Sequence, residues 1–152
     1  MRTRKEISPQ TIAIVKSTAP LLKQHGQKIT ARMYQIMFEK HPQLKAQFDM
    51  SAQANGTQPA KLAAAIQNYA THLDDLEKLL VMVDKIAYRH IQTQVLPEQY
   101  PIVGECLLKA IKEVLGNQVS KEVITAWSVA YQKLAEVFIN REQEISQTTS
   151  VT

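Results

Sequence analysis

The sequence is poor in cysteine and glycine and has no long apolar run, and each shortage excludes a class of protein. Its single cysteine, Cys106, excludes an intrachain disulfide. No apolar run approaches the ~18 residues of a membrane-spanning helix, and the charged N-terminus lacks the apolar stretch of a secretory signal. The four glycines form no phosphate-binding motif. We therefore expect a cytoplasmic protein without a membrane span.

What the sequence does contain is typical of one soluble helical domain. The chain has 152 residues, of which 45% are apolar and 21% are charged. Residue types that favour helices dominate it. The net charge is +4, but half of it comes from Arg2, Arg4 and Lys5, offset by Glu6, and elsewhere the two signs are interleaved. This pattern predicts a solvated surface and no nucleic-acid-binding face.

Apolar residues recur at helical spacing along most of the chain, and helix-ending residues separate the segments. Ser8 and Pro9 suit the start of a first helix, which we expect to be loosened at Pro20 and to end at Gly26. The polar segment 49–57 predicts a loop. We predict an all-α fold of six or seven helices, with further helices at about 28–40, 58–73, 76–92, 97–115 and 120–144. The unequal helix lengths favour packing around a cofactor over an even four-helix bundle.

The same pattern suggests how the chain is divided. Residues 7–146 are expected to form the domain, because the periodic helical segments lie within them. Residues 1–6 form a charged extension in this interpretation. Residues 147–152 are polar and are expected to be a frayed tail.

Four histidines are candidates for metal ligands, and one is set apart by its position. His25, His41 and His72 lie at predicted helix ends, where a cation is favourable. His90 instead continues an apolar stripe formed by residues 76, 79, 80, 83, 86 and 87, which directs it into the core. By spacing alone, a core histidine with hydrogen-bond partners for both nitrogens is the better interpretation, and a metal ligand is the alternative.

The surrounding sequence narrows the kind of metal centre that His90 could join. No cysteine pair, His-x-x-x-His or Glu-x-x-His motif is present, which argues against zinc and di-iron sites. Cys-x-x-Cys-His is also missing, so a haem would not be attached covalently. If His90 is a ligand, a non-covalent haem is the natural cofactor for a helical chain of this length.

Six segments, taken in order, give a more specific indication. They are 31–42 (ARMYQIMFEKHP), 48–50 (FDM), 58–62 (QPAKL), 85–90 (KIAYRH), 100–104 (YPIVG) and 126–142. Through them the sequence resembles the globin domains of bacterial flavohaemoglobins and the single-domain haemoglobins of the Vitreoscilla type. The resemblance runs from about residue 7 to residue 145. It implies a globin fold packed around a non-covalently bound haem b and its iron.

The resemblance also implies roles for three residues on the proximal side of the haem. His90 would be the iron ligand. Tyr100 and Glu142 match the phenol and carboxylate that are hydrogen-bonded around that histidine in the family. A carboxylate in this position orients the imidazole and makes it more electron-donating. An electron-rich ligand stabilises oxidised iron and favours oxygen chemistry. Without the resemblance, Glu142 would be interpreted as a solvated acid at a helix end.

On the distal side, four residues match positions that surround the gas ligand in the family. Tyr34 corresponds to the tyrosine whose hydroxyl donates a hydrogen bond to dioxygen, and Gln58 to the neighbouring distal glutamine. Leu62 corresponds to the apolar residue over the iron, and Phe48 to the phenylalanine that stacks on the haem. Pro59 removes an amide donor directly after Gln58, which limits how far the role of Gln58 can be transferred. Trp127 and Phe138 are expected only to pack.

The resemblance implies two activities of different classes. The first is reversible dioxygen binding, as in oxygen transport or buffering. The second is a nitric oxide dioxygenase that converts nitric oxide and dioxygen to nitrate. Because the sequence contains no flavin or nicotinamide domain, this enzyme would take electrons from an external flavin reductase. A gas sensor is a weaker alternative. Dioxygen, nitric oxide and carbon monoxide are the expected ligands, and the sequence does not decide whether the chain forms a homodimer.

Overall fold

A computed structural model describes residues 7–151, with side chains described as far as residue 147. Helices account for nearly all of this part of the chain, which contains no strand, so the predicted all-α fold is confirmed. This part of the chain has seven α-helices, and four of the six connections between them contain a 3-10 helix: residues Pro42–Gln47, Leu76–Leu79, Pro97–Gln99 and Gly116–Gln118. The α-helices are α1 (Pro9–Ser17), α2 (Ala19–Lys40), α3 (Met50–Ala54), α4 (Thr57–Thr71), α5 (Leu80–Gln92), α6 (Tyr100–Leu115) and α7 (Lys121–Val151).

The first two predicted helices are divided at a different residue from the one we expected. Its start is confirmed, because the Ser8 hydroxyl accepts a hydrogen bond from the Thr11 amide at 3.1 Å. The break, however, falls at Thr18, and Pro20 stands in the first turn of α2, where its missing amide hydrogen removes no helical bond. Gly26 does not end a helix. It lies inside α2, where a Cβ would stand 3.2 Å from Ala63 Cβ of α4, so its small size permits a close helix crossing.

The segment 49–57, predicted as a loop, contains the short helix α3. Asp49 caps it, because its Oδ1 accepts from the Ser51 amide at 3.0 Å and from the Ala52 amide at 3.2 Å. These donors, together with the Ser51 hydroxyl, lower the pKa of the Asp49 carboxyl. Gly56, with φ of 82°, adopts the left-handed backbone that joins α3 to α4. A capped single turn leaves no apolar periodicity, which is why the pattern predicted a loop.

The C-terminal half follows the predicted order with two differences. The predicted helices at 76–92 and 97–115 each open with a 3-10 turn before α5 and α6 begin. Gly116, with φ of 52°, ends α6 as expected. The Ser120 hydroxyl accepts from the Val123 amide at 3.3 Å at the start of α7. This helix continues to Val151, past the predicted end near residue 144 and through most of the predicted tail. The predicted extension 1–6 lies outside the described residues.

The long helices cross one another around a shared interior. Helix α2 packs against α4 and α6, and α7 packs against α1, α5 and α6. Two hydrogen bonds fix α7 in this arrangement: Trp127 Nε1 donates to Thr18 Oγ1 at 3.0 Å, and the Tyr69 hydroxyl donates to the Ala130 carbonyl at 2.7 Å. Cys106, 1% exposed, is a buried apolar residue. Within residues 7–151, no helix combines the length and apolar character needed to cross a membrane.

Candidate functional site

A cavity of about 590 Å³ opens between α2, α4, α5, α6 and α7. Its volume lies in the range of cavities that hold small molecules and cofactors. Most of the lining side chains are apolar. Six of the seven residues predicted to form the site line this one cavity, whereas Glu142 does not. The six are Tyr34, Phe48, Gln58, Leu62, His90 and Tyr100.

His90 lies in the last turn of α5 and forms the centre of a three-residue network. Its Nδ1 is 2.9 Å from Glu142 Oε2 and 2.8 Å from the Tyr100 hydroxyl. The Tyr100 hydroxyl donates to the same Glu142 oxygen at 2.7 Å. The network joins three helices, because Tyr100 is the first residue of α6 and Glu142 projects from α7. The three residues that the resemblance assigned to the proximal side are therefore in direct contact in the structure.

The hydrogen-bond chemistry of this network selects one tautomer of His90. An ionised Glu142 carboxylate only accepts, so Nδ1 carries a hydrogen and donates to it. Nε2 then holds the lone pair and is the ring nitrogen available to a metal. Burial, and then the Glu142 carboxylate, raise the pKa of the Tyr100 hydroxyl, which therefore stays protonated and acts as a donor. His90 thus has the second-sphere partners that metal-ligating histidines use.

Phe138 takes part in this wall of the cavity, although the sequence predicted only packing for it. Its ring centroid is 5.6 Å from that of His90 and 6.3 Å from that of Tyr100, the latter pair being stacked. It is 6% exposed and lines the cavity. Phe138 and Glu142 stand four residues apart on α7, so they share one helix face. That spacing is the signal that could have linked Phe138 to the site.

Tyr34 also lines the cavity, and it is 5% exposed. Burial raises the pKa of its hydroxyl, and the nearby side-chain amides of Gln58 and Gln53 partly oppose that rise. The Tyr34 ring packs edge-on against Phe48, with centroids 5.5 Å apart, and Phe38 stacks on it at 5.9 Å. These aromatic contacts hold the hydroxyl in place, so the site has a fixed, neutral donor at physiological pH.

Gln53 is a residue that the sequence interpretation missed, because α3 was assigned to a loop. Its side-chain nitrogen is buried, yet it has no hydrogen-bond partner of ordinary geometry among the described residues. Buried amide nitrogens are rarely left in this state. The Gln53 amide lies close to the Tyr34 hydroxyl, where it partly opposes the rise in pKa that burial causes. Two side-chain amides therefore lie beside Tyr34: Gln58 of α4, which lines the cavity, and Gln53 of α3, which does not.

The lining of the cavity has the chemistry that a haem requires. A haem is a wide apolar ring with two carboxylates, and its iron needs an axial ligand. The apolar lining suits the ring, and Nε2 of His90 suits the iron. Three basic side chains, Lys61, Lys85 and Arg89, are among the lining residues and provide the positive charge that carboxylates favour. The residues present therefore fit a haem.

Comparisons with known proteins give the same result. The family model described as Globin matches residues 31–138. A globin-like protein of Aquifex aeolicus is 48% identical over 139 residues, which make up 91% of this chain and 96% of that protein. A solved bacterial globin from Campylobacter jejuni superposes with a TM-score of 0.87 at 39% identity, covering 92% of this chain and 99% of its own.

The longer relatives match only in part. A flavohemoprotein of Halalkalibacterium halodurans is 44% identical over 144 residues, which cover 95% of this chain but 35% of the flavohemoprotein. The chain thus spans about a third of the length of the flavohemoproteins it matches. The family match, the shared fold and a cavity that fits the cofactor agree with one another. The chain belongs to the globin family, is homologous to flavohemoprotein globin domains and to single-domain bacterial globins, and binds haem.

Proposed function

We propose that the protein reversibly binds dioxygen on a haem that His90 ligates, with Tyr34 as the hydrogen-bond donor to the gas. One observation carries this proposal: a single cavity has an imidazole backed by a carboxylate on one wall and a buried, neutral phenol on another. A bound haem would supply an iron that His90 holds and that can bind a gas. The protein's contribution is to hold these two groups in one cavity with a mostly apolar lining.

On the proximal wall, the proposed task of Glu142 and Tyr100 is to fix the ligand. Their hydrogen bonds hold His90 in the Nδ1–H tautomer and prevent the ring from rotating away from its working orientation. The Glu142 charge makes the imidazole more electron-donating. Phe138 supports the same ring from α7. We assign no direct contact with the gas to these three residues, since each acts through His90.

On the distal wall, Tyr34 is proposed to stabilise the partial negative charge that bound dioxygen develops, by donating its hydroxyl hydrogen. Gln58, which lines the cavity, assists as a second polar group. Leu62 and Phe48 limit the access of water, which would otherwise solvate the charge and compete for the donor. A phenol held by aromatic packing loses little entropy when it makes this bond, which favours slow release of dioxygen.

A second candidate function is the conversion of nitric oxide and dioxygen to nitrate, with electrons supplied by a flavin reductase. The carboxylate-backed histidine favours it, because an electron-rich ligand promotes oxygen chemistry over simple carriage. The likeness to flavohemoproteins is compatible with the same activity. The two functions use the same residues and differ in whether the protein turns over repeatedly.

The experiment that separates them begins with the purified oxygenated protein. It is mixed with nitric oxide in a stopped-flow spectrometer, and nitrate is measured after one turnover and again in the presence of a flavin reductase and NADH. Reversible oxygen uptake with nitrate formation that stops after one turnover supports dioxygen binding. Sustained nitrate formation shows the dioxygenase. A His90→Ala variant that keeps its haem and its oxygen binding would overturn both proposals.

A further inference from the structure

Two glutamines that neither proximal nor distal chemistry uses form a reciprocal amide pair at the edge of the cavity. Gln99 Nε2 donates to Gln47 Oε1 at 2.7 Å, and Gln47 Nε2 donates to Gln99 Oε1 at 3.1 Å. Each glutamine ends a 3-10 helix, Pro42–Gln47 in one case and Pro97–Gln99 in the other. The pair therefore joins two connecting segments that are 52 residues apart in sequence. We call it the amide latch.

The amide latch also holds the backbone that follows His90. Gln47 Nε2 lies 3.3 Å from the carbonyl of Thr93 and 3.0 Å from that of Gln94. Gln99 Oε1 accepts from the Leu96 amide at 2.9 Å. Gln94 has a φ of 63°, a left-handed conformation that is costly for a residue with a side chain. The hydrogen bonds from Gln47 help to keep this strained turn in place.

Both residues of the latch are adjacent in sequence to residues of the site. Gln47 and Gln99 both line the cavity. Phe48 follows Gln47 directly, and Tyr100 follows Gln99, so each half of the latch is one residue from a residue of the site. If the hydrogen bonds of the latch break, the 3-10 helix Pro42–Gln47 can move away from the turn that follows His90. That movement widens the cavity on the side where these connecting segments meet.

We propose that the Gln47–Gln99 amide pair is a latch that closes the cavity over the haem and sets the rate at which haem is released. This inference rests on the proposed ligation of haem by His90. Each partly buried hydrogen bond contributes modestly, and loss of the pair together with its backbone bonds corresponds to about a tenfold change in rate. Gln47 and Gln99 are positioning residues, since neither is assigned to the iron or to the gas.

The first test measures haem transfer from the ferric protein to an excess of a haem-scavenging apoglobin. We expect Gln47→Leu and Gln99→Leu each to release haem about tenfold faster than the wild-type protein. The double variant should fall clearly short of the hundredfold that additive effects would give, because each single variant already loses the shared amide pair. Gln43→Leu is the matched control, because Gln43 is an exposed glutamine in the same 3-10 helix. Release rates of the single variants within about twofold of this control would overturn the proposal, as would additive effects in the double variant.

The second test restores the latch with different chemistry. Gln47→Lys combined with Gln99→Glu places an ammonium where Nε2 donates and a carboxylate where Oε1 accepts from Leu96. We expect the combined variant to return the release rate to within about threefold of wild type, whereas Gln47→Lys alone does not. Failure of this rescue in a folded protein, judged by circular dichroism, contradicts the latch. Slow haem release governed by the latch together with an absence of oxygen binding would instead refute only the proposed function.

Discussion

The carboxylate of Glu142 offers the sharpest test of how the proximal network acts. Its Oε2 accepts from His90 Nδ1 at 2.9 Å and from the Tyr100 hydroxyl at 2.7 Å, and its side chain is 12% exposed. Glu142→Gln keeps the shape but replaces a charged acceptor with a neutral one. Because hydrogen bonds to charged groups contribute ~1.5–3 kcal/mol and neutral ones about 1 kcal/mol, the bond to His90 is weakened by about 0.5–2 kcal/mol.

That loss falls mainly on the oxidised protein, because an electron-donating imidazole stabilises ferric over ferrous iron. For a one-electron couple, 59 mV corresponds to a tenfold change in equilibrium, so about 0.5–2 kcal/mol corresponds to a rise of roughly 20–90 mV in reduction potential. The haem itself should be retained, since His90 is unchanged. We expect spectroelectrochemical titration to show this rise and resonance Raman spectra to show a lower iron–histidine stretching frequency.

The matched control is Glu144→Gln, which makes the same chemical change two residues later on α7. Glu144 accepts from Arg141 at 3.1 Å, and its side chain is 66% exposed, so solvent screens its charge from the cavity. Its potential should change far less than that of Glu142→Gln. Equal shifts in the two variants, or a fall in potential for Glu142→Gln, would refute the idea that this hydrogen bond tunes the histidine.

Three further variants test other parts of the structure. Tyr34→Phe should accelerate dioxygen release about tenfold in stopped-flow measurements, because one hydrogen bond to the gas is lost, and an unchanged rate would contradict the role given to Tyr34. Gly104→Ala places a Cβ 2.5 Å from the Tyr131 ring and should lower the free energy of unfolding by about 1–3 kcal/mol in urea titrations; no loss would show that the ring moves freely. Asp49→Ala should speed amide hydrogen exchange in residues 50–54, whereas Asp49→Asn keeps a capping oxygen and should not.

Apolar periodicity predicted the helices that pack with a continuous stripe, and it did so because burial dictates that spacing. The stripe that ends at His90 is an example in part: Leu79, Val83 and Ala87 are buried, whereas Leu76 and Leu80 of the same predicted stripe are exposed. The same reasoning placed His90 toward the interior. It also placed the end of α6 at Gly116, where a left-handed backbone is required.

Periodicity was misleading where a residue's environment outweighs its local preference. Gly26 is a helix-ending residue by propensity, yet contact with Ala63 makes it a packing residue within α2. The true break at Thr18 is accompanied by a tertiary bond, because the Thr18 hydroxyl accepts from Trp127, which is 109 residues away in sequence. Helix α3 is too short to show a period and is stabilised by its cap. No local pattern contains that information.

The site poses the same problem in its strongest form. Glu142 beside Arg141 has the sequence of a solvated helix end, and Tyr100 follows the 3-10 helix Pro97–Gln99. Their sequence spacing therefore does not predict contact with His90. They meet because α6 and α7 pack against each other and α7 packs against α5. Their hydrogen bonds fall on Nδ1, and the two interpretations of His90 that spacing left open make different demands on Nε2. A purely structural histidine needs a hydrogen-bond partner for Nε2. An iron ligand instead needs Nε2 to face a cavity of sufficient size. His90 is part of the wall of such a cavity.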